Sequence, residues 1–167
     1  MNRDSLFIDH GCDFHYNDNE RTLRDRMNIE EMKSLLNTDD IVCVVSQGDH
    51  VLTSNLKGIR PWIKWLRENP ELLEDAVVVD KVVGKAAAIL MVVAKIRTLY
   101  TPIISENALQ FLSDQFIDFS YDRTVAYIKN NEKNGLCPME QTVVDVEDAQ
   151  QGYQLLLQKI AVLMANK

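Results

Sequence analysis

Three short stretches of the sequence place charged or nucleophilic side chains at the predicted start of a helix. They are residues 80–85 (DKVVGK), 105–107 (SEN) and 137–140 (CPME). In open α/β sheets, ligands bind where a strand ends and the next helix begins. The sequence therefore predicts a functional site at these stretches.

The first stretch contains two lysines four residues apart. Residues at i and i+4 share one face of a helix, so Lys81 and Lys85 are predicted to reach one crevice, where two amines suit a phosphate or carboxylate. Partial burial lowers a lysine pKa toward a base or Schiff-base role. In the alternative interpretation, Asp80 caps the helix and Lys85 either extends to solvent or pairs with Asp80.

The second stretch, Ser105, Glu106 and Asn107, follows the next predicted strand. In a parallel arrangement it lies at the same edge of the sheet as Asp80. Glu106 could then act as a general acid or base if it is buried near the lysines. The alternative is a plain helix start, because Ser followed by Glu is what local capping favours.

The third stretch offers a thiol. Cys137 comes directly before a proline, and a thiolate is favoured at a helix N-terminus, so Cys137 is a candidate nucleophile or redox-sensitive thiol. The alternative is a buried thiol that anchors a loop. No histidine can be assigned as its partner, because His50 is the only one after residue 27.

The elements that position these stretches alternate between strands and helices. Residues 77–94 (VVVDKVVGKAAAILMVVA) predict a strand buried on both faces and an apolar helix packed across it. The whole pattern predicts an α/β fold: a three-layer α/β/α sandwich whose mixed five-stranded sheet opens with a hairpin. Pro102 lacks a backbone donor, which predicts a bulge or an edge position. The other predicted elements are helices beginning near residues 28, 58, 105 and 147, and strands at 41–45, 51–53, 97–104 and 117–121.

The predicted organisation is a polar N-terminal extension, residues 1–27, followed by one α/β domain, residues 28–167. The extension contains a potential set of metal ligands: His10, Cys12, Asp13 and His15. Their spacing matches no known zinc site and no second pair follows, so we predict no metal and no cofactor.

Composition excludes several classes of partner. The net charge is -7 and lysine and arginine form no dense cluster, so we predict no long nucleic acid but allow a small anion. Three cysteines without framework spacing favour a reducing compartment. The polar N-terminus lacks the features of a signal peptide, and the apolar run 86–94 is too short to span a bilayer. We predict a cytoplasmic protein with no membrane partner; its oligomeric state stays open.

The motifs VVDKVVGKAAA (78–88), PIISENAL (102–109) and GLCPME (135–140) resemble a small prokaryotic family, the domain of unknown function 1893. The likeness runs from about residue 41 to 160. It implies a cytidine deaminase-like fold with an active site at the starts of two successive helices. Those starts correspond here to residues 80–85 and 105–108.

The residues at these helix starts depart from the zinc deaminase pattern. Zinc deaminases carry His or Cys with Glu two residues on at the first helix, and Pro-Cys-x-x-Cys at the second. This chain has Lys81, Val83 and Lys85 at the first start and no cysteine at the second. Three zinc ligands cannot be assembled from these positions.

The leading hypothesis is a metal-independent protein that binds a small, anionic or nucleotide-like ligand, with hydrolase or transferase chemistry if it is an enzyme. One alternative is a non-catalytic sensor or interaction module. Another is an atypical metal-dependent deaminase that uses Cys137 or His15. The predicted catalytic residues are Lys85, Cys137 and Glu106, and the predicted ligand-binding residues are Asp80, Lys81, Lys85, Ser105, Glu106 and Asn107.

Overall fold

Helices and strands alternate along the chain, as the apolar pattern predicts. The computed structural model describes residues 27–38, 40–130 and 132–166. The predictions for residues 1–26, including the set of four metal-ligand types, lie outside the described residues. Within these ranges there are six helices and six strands: α1 (Ile29–Leu36), β1 (Cys43–Gln47), β2 (His50–Ser54), α2 (Arg60–Glu68), β3 (Val77–Asp80), β4 (Val82–Val83), α3 (Lys85–Val93), β5 (Thr98–Ser105), α4 (Glu106–Ser113), β6 (Asp118–Val125), α5 (Pro138–Val143) and α6 (Ala149–Ala165).

The sheet is mixed and opens with the hairpin β1–β2. Strand β1 pairs antiparallel with both β2 and β3, whereas β3, β4 and β6 pair parallel with β5. The prediction of five strands is wrong for the described residues, because Val82 and Val83 form a sixth strand instead of starting the helix. Their backbones pair with Ile103 and Ile104, and the helix begins only after Gly84.

Pro102 lies in β5, which has neighbouring strands on both sides. The predicted bulge or edge position for Pro102 is therefore wrong. The pairs on either side keep one register, from Val79 with Tyr100 to Val82 with Ile103. The break between β3 and β4 at Lys81 therefore falls opposite Pro102, where the sheet does not require the missing N–H donor.

Helices pack against both faces of the sheet. On one face, Met32 and Leu36 of α1 contact Val44 and Val79. On the other face, a larger core contains Trp62 of α2 and most of α3. Residues 85–91 of α3 are all buried, which explains why its sequence shows no polar face. None of the described helices is long and apolar enough to cross a membrane.

Candidate functional site

Three residues with reactive or ionisable side chains lie side by side across one end of the sheet. Cys43 on β1 lies directly opposite Ser54 on β2 and directly opposite Asp80 on β3. Residues that face one another across antiparallel strands point to the same side of the sheet. The row Ser54–Cys43–Asp80 therefore faces α2, on the side of the larger core, at the carboxyl end of β3.

Asp80 is a buried carboxyl held by four donors. Its side chain accepts hydrogen bonds from the Trp62 indole Nε1 at 3.1 Å and from the Val82 backbone N at 3.4 Å. The Cys43 thiol and the Lys81 backbone N–H donate to it as well. Asp80 is only 7% exposed, and this burial raises its pKa from 3.8 to about 6 although the donors favour the ionised form. A carboxyl with this pKa can exchange a proton near neutral pH.

Cys43 is completely buried next to this carboxyl. Burial, together with the nearby charge of Asp80, raises the pKa of the Cys43 thiol well above its usual range. A thiol in this environment stays protonated and is a poor nucleophile. Its role here is therefore to donate to Asp80.

A depression of about 400 Å³ opens at the same end of the sheet. Ser54, which ends the row, belongs to its wall together with Lys64 and Trp65 of α2. The Trp65 ring meets the Trp62 ring edge to face, with the centroids 5.7 Å apart, and Trp62 contacts Asp80. The volume falls in the range of small-ligand sites. The complete lining is Asp40, Ile41, Thr53, Ser54, Asn55, Leu56, Lys64 and Trp65.

The two predicted lysines do not bring their amines together. Lys81 lies in the break after β3, and its Nζ donates to the Thr38 carbonyl beyond α1 at 3.2 Å. Lys85 is the first residue of α3, and its buried Nζ donates to the Val144 carbonyl at 2.7 Å. Lys81 thus contacts the α1 side of the sheet and Lys85 the opposite side. Whether either amine binds a ligand stays a prediction.

The start of α3 is capped by a carboxylate from a distant helix. Glu140 of α5 accepts hydrogen bonds from the backbone N of Lys85 and of Ala86, both at 2.9 Å. Burial raises the pKa of Glu140, and the two N–H donors partly oppose that shift. Helix N-termini attract anions. The anion at this helix start is supplied by the protein itself.

The second predicted stretch forms the start of α4. Ile104 pairs with Val83, so the starts of α3 and α4 are neighbours, as the predicted parallel arrangement requires. Ser105 is completely buried and caps α4, because its Oγ accepts from the Ala108 N at 3.2 Å. Glu106 is exposed and Asn107 is half-buried. Ligand binding by these residues stays a prediction.

Cys137 lies at the N-cap position of α5, directly before Pro138, as predicted. Its thiol is half-buried and free. The described residues contain no group of three His, Cys, Asp or Glu side chains arranged to hold a metal ion. A catalytic role for Cys137 stays a prediction.

Four residues of this region have no role predicted from the sequence: Cys43, Trp62, Lys64 and Glu140. The contacts of Cys43, Trp62 and Glu140 join positions far apart in the chain. Trp62 carries a partial signal. Ile59, Trp62, Ile63 and Leu66 recur at helical spacing in the sequence, which predicts a core position for Trp62, and a buried indole N–H needs an acceptor. Asp80 was the buried acceptor within reach.

The geometry defines an α/β protein whose mixed sheet holds a buried, protonatable carboxyl at the carboxyl end of β3, two strands away from Ser54 in the wall of the depression. The chain belongs to the family described as TM1506, Domain of unknown function (DUF1893), whose model matches residues 31–160. The fold is similar to the crystal structure of a DUF1893 family protein (TM1506) from Thermotoga maritima. That comparison has 24% identity and a TM-score of 0.70, and covers 80% of this chain and 92% of that one. No match was found among curated proteins.

Proposed function

We propose that the protein binds a small anionic or nucleotide-like molecule at the end of the sheet where Ser54, Cys43 and Asp80 stand in a row. The observation that carries this proposal is the depression at the Ser54 end of that row, whose lining includes Lys64 and the largely buried Trp65. A cation suits a phosphate or carboxylate, and an aromatic side chain suits a ring.

Asp80 is the residue best suited to chemistry in this proposal. A carboxyl with a pKa of about 6 supports acid–base steps of a metal-independent hydrolase or transferase. Lys85, Cys137 and Glu106 remain proposed catalytic residues. The Lys85 amine must leave the Val144 carbonyl before it can act on a ligand.

The alternative is a non-catalytic sensor. It is favoured by the contacts of Glu140 and Lys85. The Glu140 carboxylate of α5 already accepts from the start of α3, and the Lys85 amine already donates to the Val144 carbonyl just after α5. Under both functions we infer a three-layer, cytidine deaminase-like sandwich. The support is α1 on one face, the other helices opposite, and two adjacent helix starts. The two cysteines of the described residues, Cys43 and Cys137, are free, which also supports a cytoplasmic location.

Native mass spectrometry of freshly purified protein tests for a co-purified ligand or metal. AMP, CMP and inorganic phosphate are then titrated while the indole N–H signals of Trp62 and Trp65 are followed by NMR. We expect at least one probe to shift the Trp65 signal saturably. Lys64→Gln should weaken that binding by about tenfold, because it removes a charge-assisted hydrogen bond.

Lys129→Gln is the matched control, since this exposed lysine does not line the depression. Equal affinities of the two variants, or no shift with any probe at millimolar concentration, refute the site. Turnover of the bound probe separates an enzyme from a sensor. Asp80→Asn should abolish turnover and keep binding if the carboxyl transfers protons.

A further inference from the structure

Strand β6 leaves one long edge of the sheet open. It pairs with β5 along seven residue pairs, and no other described strand lies beside it. Most of its side chains are exposed. Open edges are usually protected by lysine, proline, a bulge or short length. This eight-residue strand, DFSYDRTV, has none of these; charged side chains also protect edges, and β6 carries three, Asp118, Asp122 and Arg123.

One face of β6 carries an aromatic stripe. Phe119 and Tyr121 stack with their ring centroids 6.3 Å apart, and Tyr121 is 40% exposed. Arg123 continues the same face, because alternate residues of a strand point to the same side. On the other face, Asp122 accepts a hydrogen bond from the Tyr100 hydroxyl at 2.7 Å, which holds its carboxylate in place.

We propose that β6 pairs antiparallel with β6 of a second copy of this chain, with the two-fold axis at Tyr121. A two-fold axis perpendicular to a continuous sheet keeps the faces of both copies on the same side. Residues that lie opposite one another must point to the same face, and successive residues of a strand point to opposite faces. The axis must therefore pass between a residue and its own equivalent in the other copy, so each possible register is centred on one residue. The charges of β6 then select among the registers.

Registers centred on Ser120, Asp122 or Arg123 each place like charges directly opposite one another. In the register centred on Ser120, Asp118 lies opposite Asp122 of the other copy. In the registers centred on Asp122 and on Arg123, the central residue lies opposite its own equivalent. Like charges opposite each other destabilise an antiparallel pair. Registers centred nearer the ends pair at most three residues of β6.

The register centred on Tyr121 has complementary pairs throughout. Arg123 faces Phe119 of the other copy, a cation–aromatic contact. The Ser120 hydroxyl faces Asp122 and can donate to its carboxylate. Asp118 faces Thr124, which carries no charge. Each pair occurs twice, and seven residues of each strand, 118–124, gain partners.

The first test uses the full chain and sedimentation velocity at protein concentrations from about 1 to 500 µM. Cross-strand charge pairs contribute roughly 0.2–1 kcal/mol each. In Thr124→Arg, the new arginine lies opposite Asp118 of the other copy, twice per dimer, and should lower the dimer Kd about fivefold. In Thr124→Asp, two carboxylates face each other at the same positions, and the dimer Kd should rise about fivefold. The two variants control for each other, since only the sign of the charge at one exposed position differs.

The second test is the register itself. In a Cys12→Ser, Cys137→Ser background, Tyr121→Cys should cross-link under mild oxidation to a disulfide dimer, because only residue 121 faces its own equivalent. Ser120→Cys should not cross-link. A monomer at every concentration overturns the proposal, as does a dimer that ignores the charge at 124 or cross-links equally at both positions. Circular dichroism confirms that each variant is folded.

Discussion

The buried carboxyl of Asp80 makes the stability of the fold depend on pH in an unusual direction. Its folded-state pKa of about 6 lies above its ordinary value of 3.8. Between these values the folded protein binds more protons at this position than the unfolded chain does. The contribution of Asp80 to the free energy of unfolding therefore decreases as the pH rises, and it is most favourable in acid.

The size of the effect follows from the two pKa values. Their difference corresponds to about 3 kcal/mol at 25 °C, of which about 2 kcal/mol is lost between pH 4 and pH 8. Asp80→Asn keeps the shape of the protonated side chain and cannot ionise. We therefore expect the free energy of unfolding of Asp80→Asn, relative to wild type, to rise by about 2 kcal/mol over this range.

The assay is urea unfolding at fixed ionic strength at five pH values from 4 to 8. The difference between variant and wild type is the measured quantity, so a constant offset from imperfect hydrogen bonding of the amide does not affect the result. Asp145→Asn is the control, since this aspartate is exposed. Parallel pH profiles for Asp80→Asn and wild type would show that the carboxyl is not desolvated as described.

Four further predictions concern other contacts of the fold. Trp62→Phe removes the indole donor at 3.1 Å, so the pKa of Asp80 should rise above 6 in a carbon-detected NMR titration, and an unchanged pKa would contradict this contact. Glu140→Ala removes two hydrogen bonds from the start of α3 and should cost about 2 kcal/mol in urea unfolding. Gly84→Ala places a Cβ 2.6 Å from the Glu140 Cδ, so it should lower the free energy of unfolding by less in the Glu140→Ala background than in the wild type. If the two substitutions lower the free energy of unfolding additively, the coupling is refuted. Gly152→Ala brings a Cβ within 2.9 Å of two Ile89 atoms and should destabilise by about 1–2 kcal/mol despite better helix propensity, unlike Gln154→Ala on the exposed side of α6.

Features determined by near neighbours in the chain could be predicted from the sequence. Asn28 and Glu31 form a reciprocal capping box, with hydrogen bonds of 2.9 and 3.0 Å. Ser105 caps α4 and Pro138 begins α5, as predicted. The hairpin turn contains Gly48 at a φ of +57°, a conformation that glycine adopts without strain. In each case the partner lies within a few residues, so local physics determines the result.

Features that depend on distant partners could not be predicted. Val82 and Val83 form a strand because Ile103 and Ile104 offer a backbone to pair with, and the apolar sequence alone suits a helix equally well. The same is true of the cap on α3. In the alternative interpretation Asp80, which is near in sequence, caps this helix, but Glu140 supplies the carboxylate from 55 residues away.

The break between β3 and β4 also decides which predicted residues can share a ligand. The predicted common site of Lys81 and Lys85 assumed that both belong to one helix. Lys81 lies in a bend between β3 and β4 and α3 begins at Lys85, so the i, i+4 relation does not apply. An anion at the start of α3 must also displace Glu140, whose carboxylate already accepts both N–H groups. The depression beside Lys64 requires no such displacement, which is why the proposed function places the ligand there.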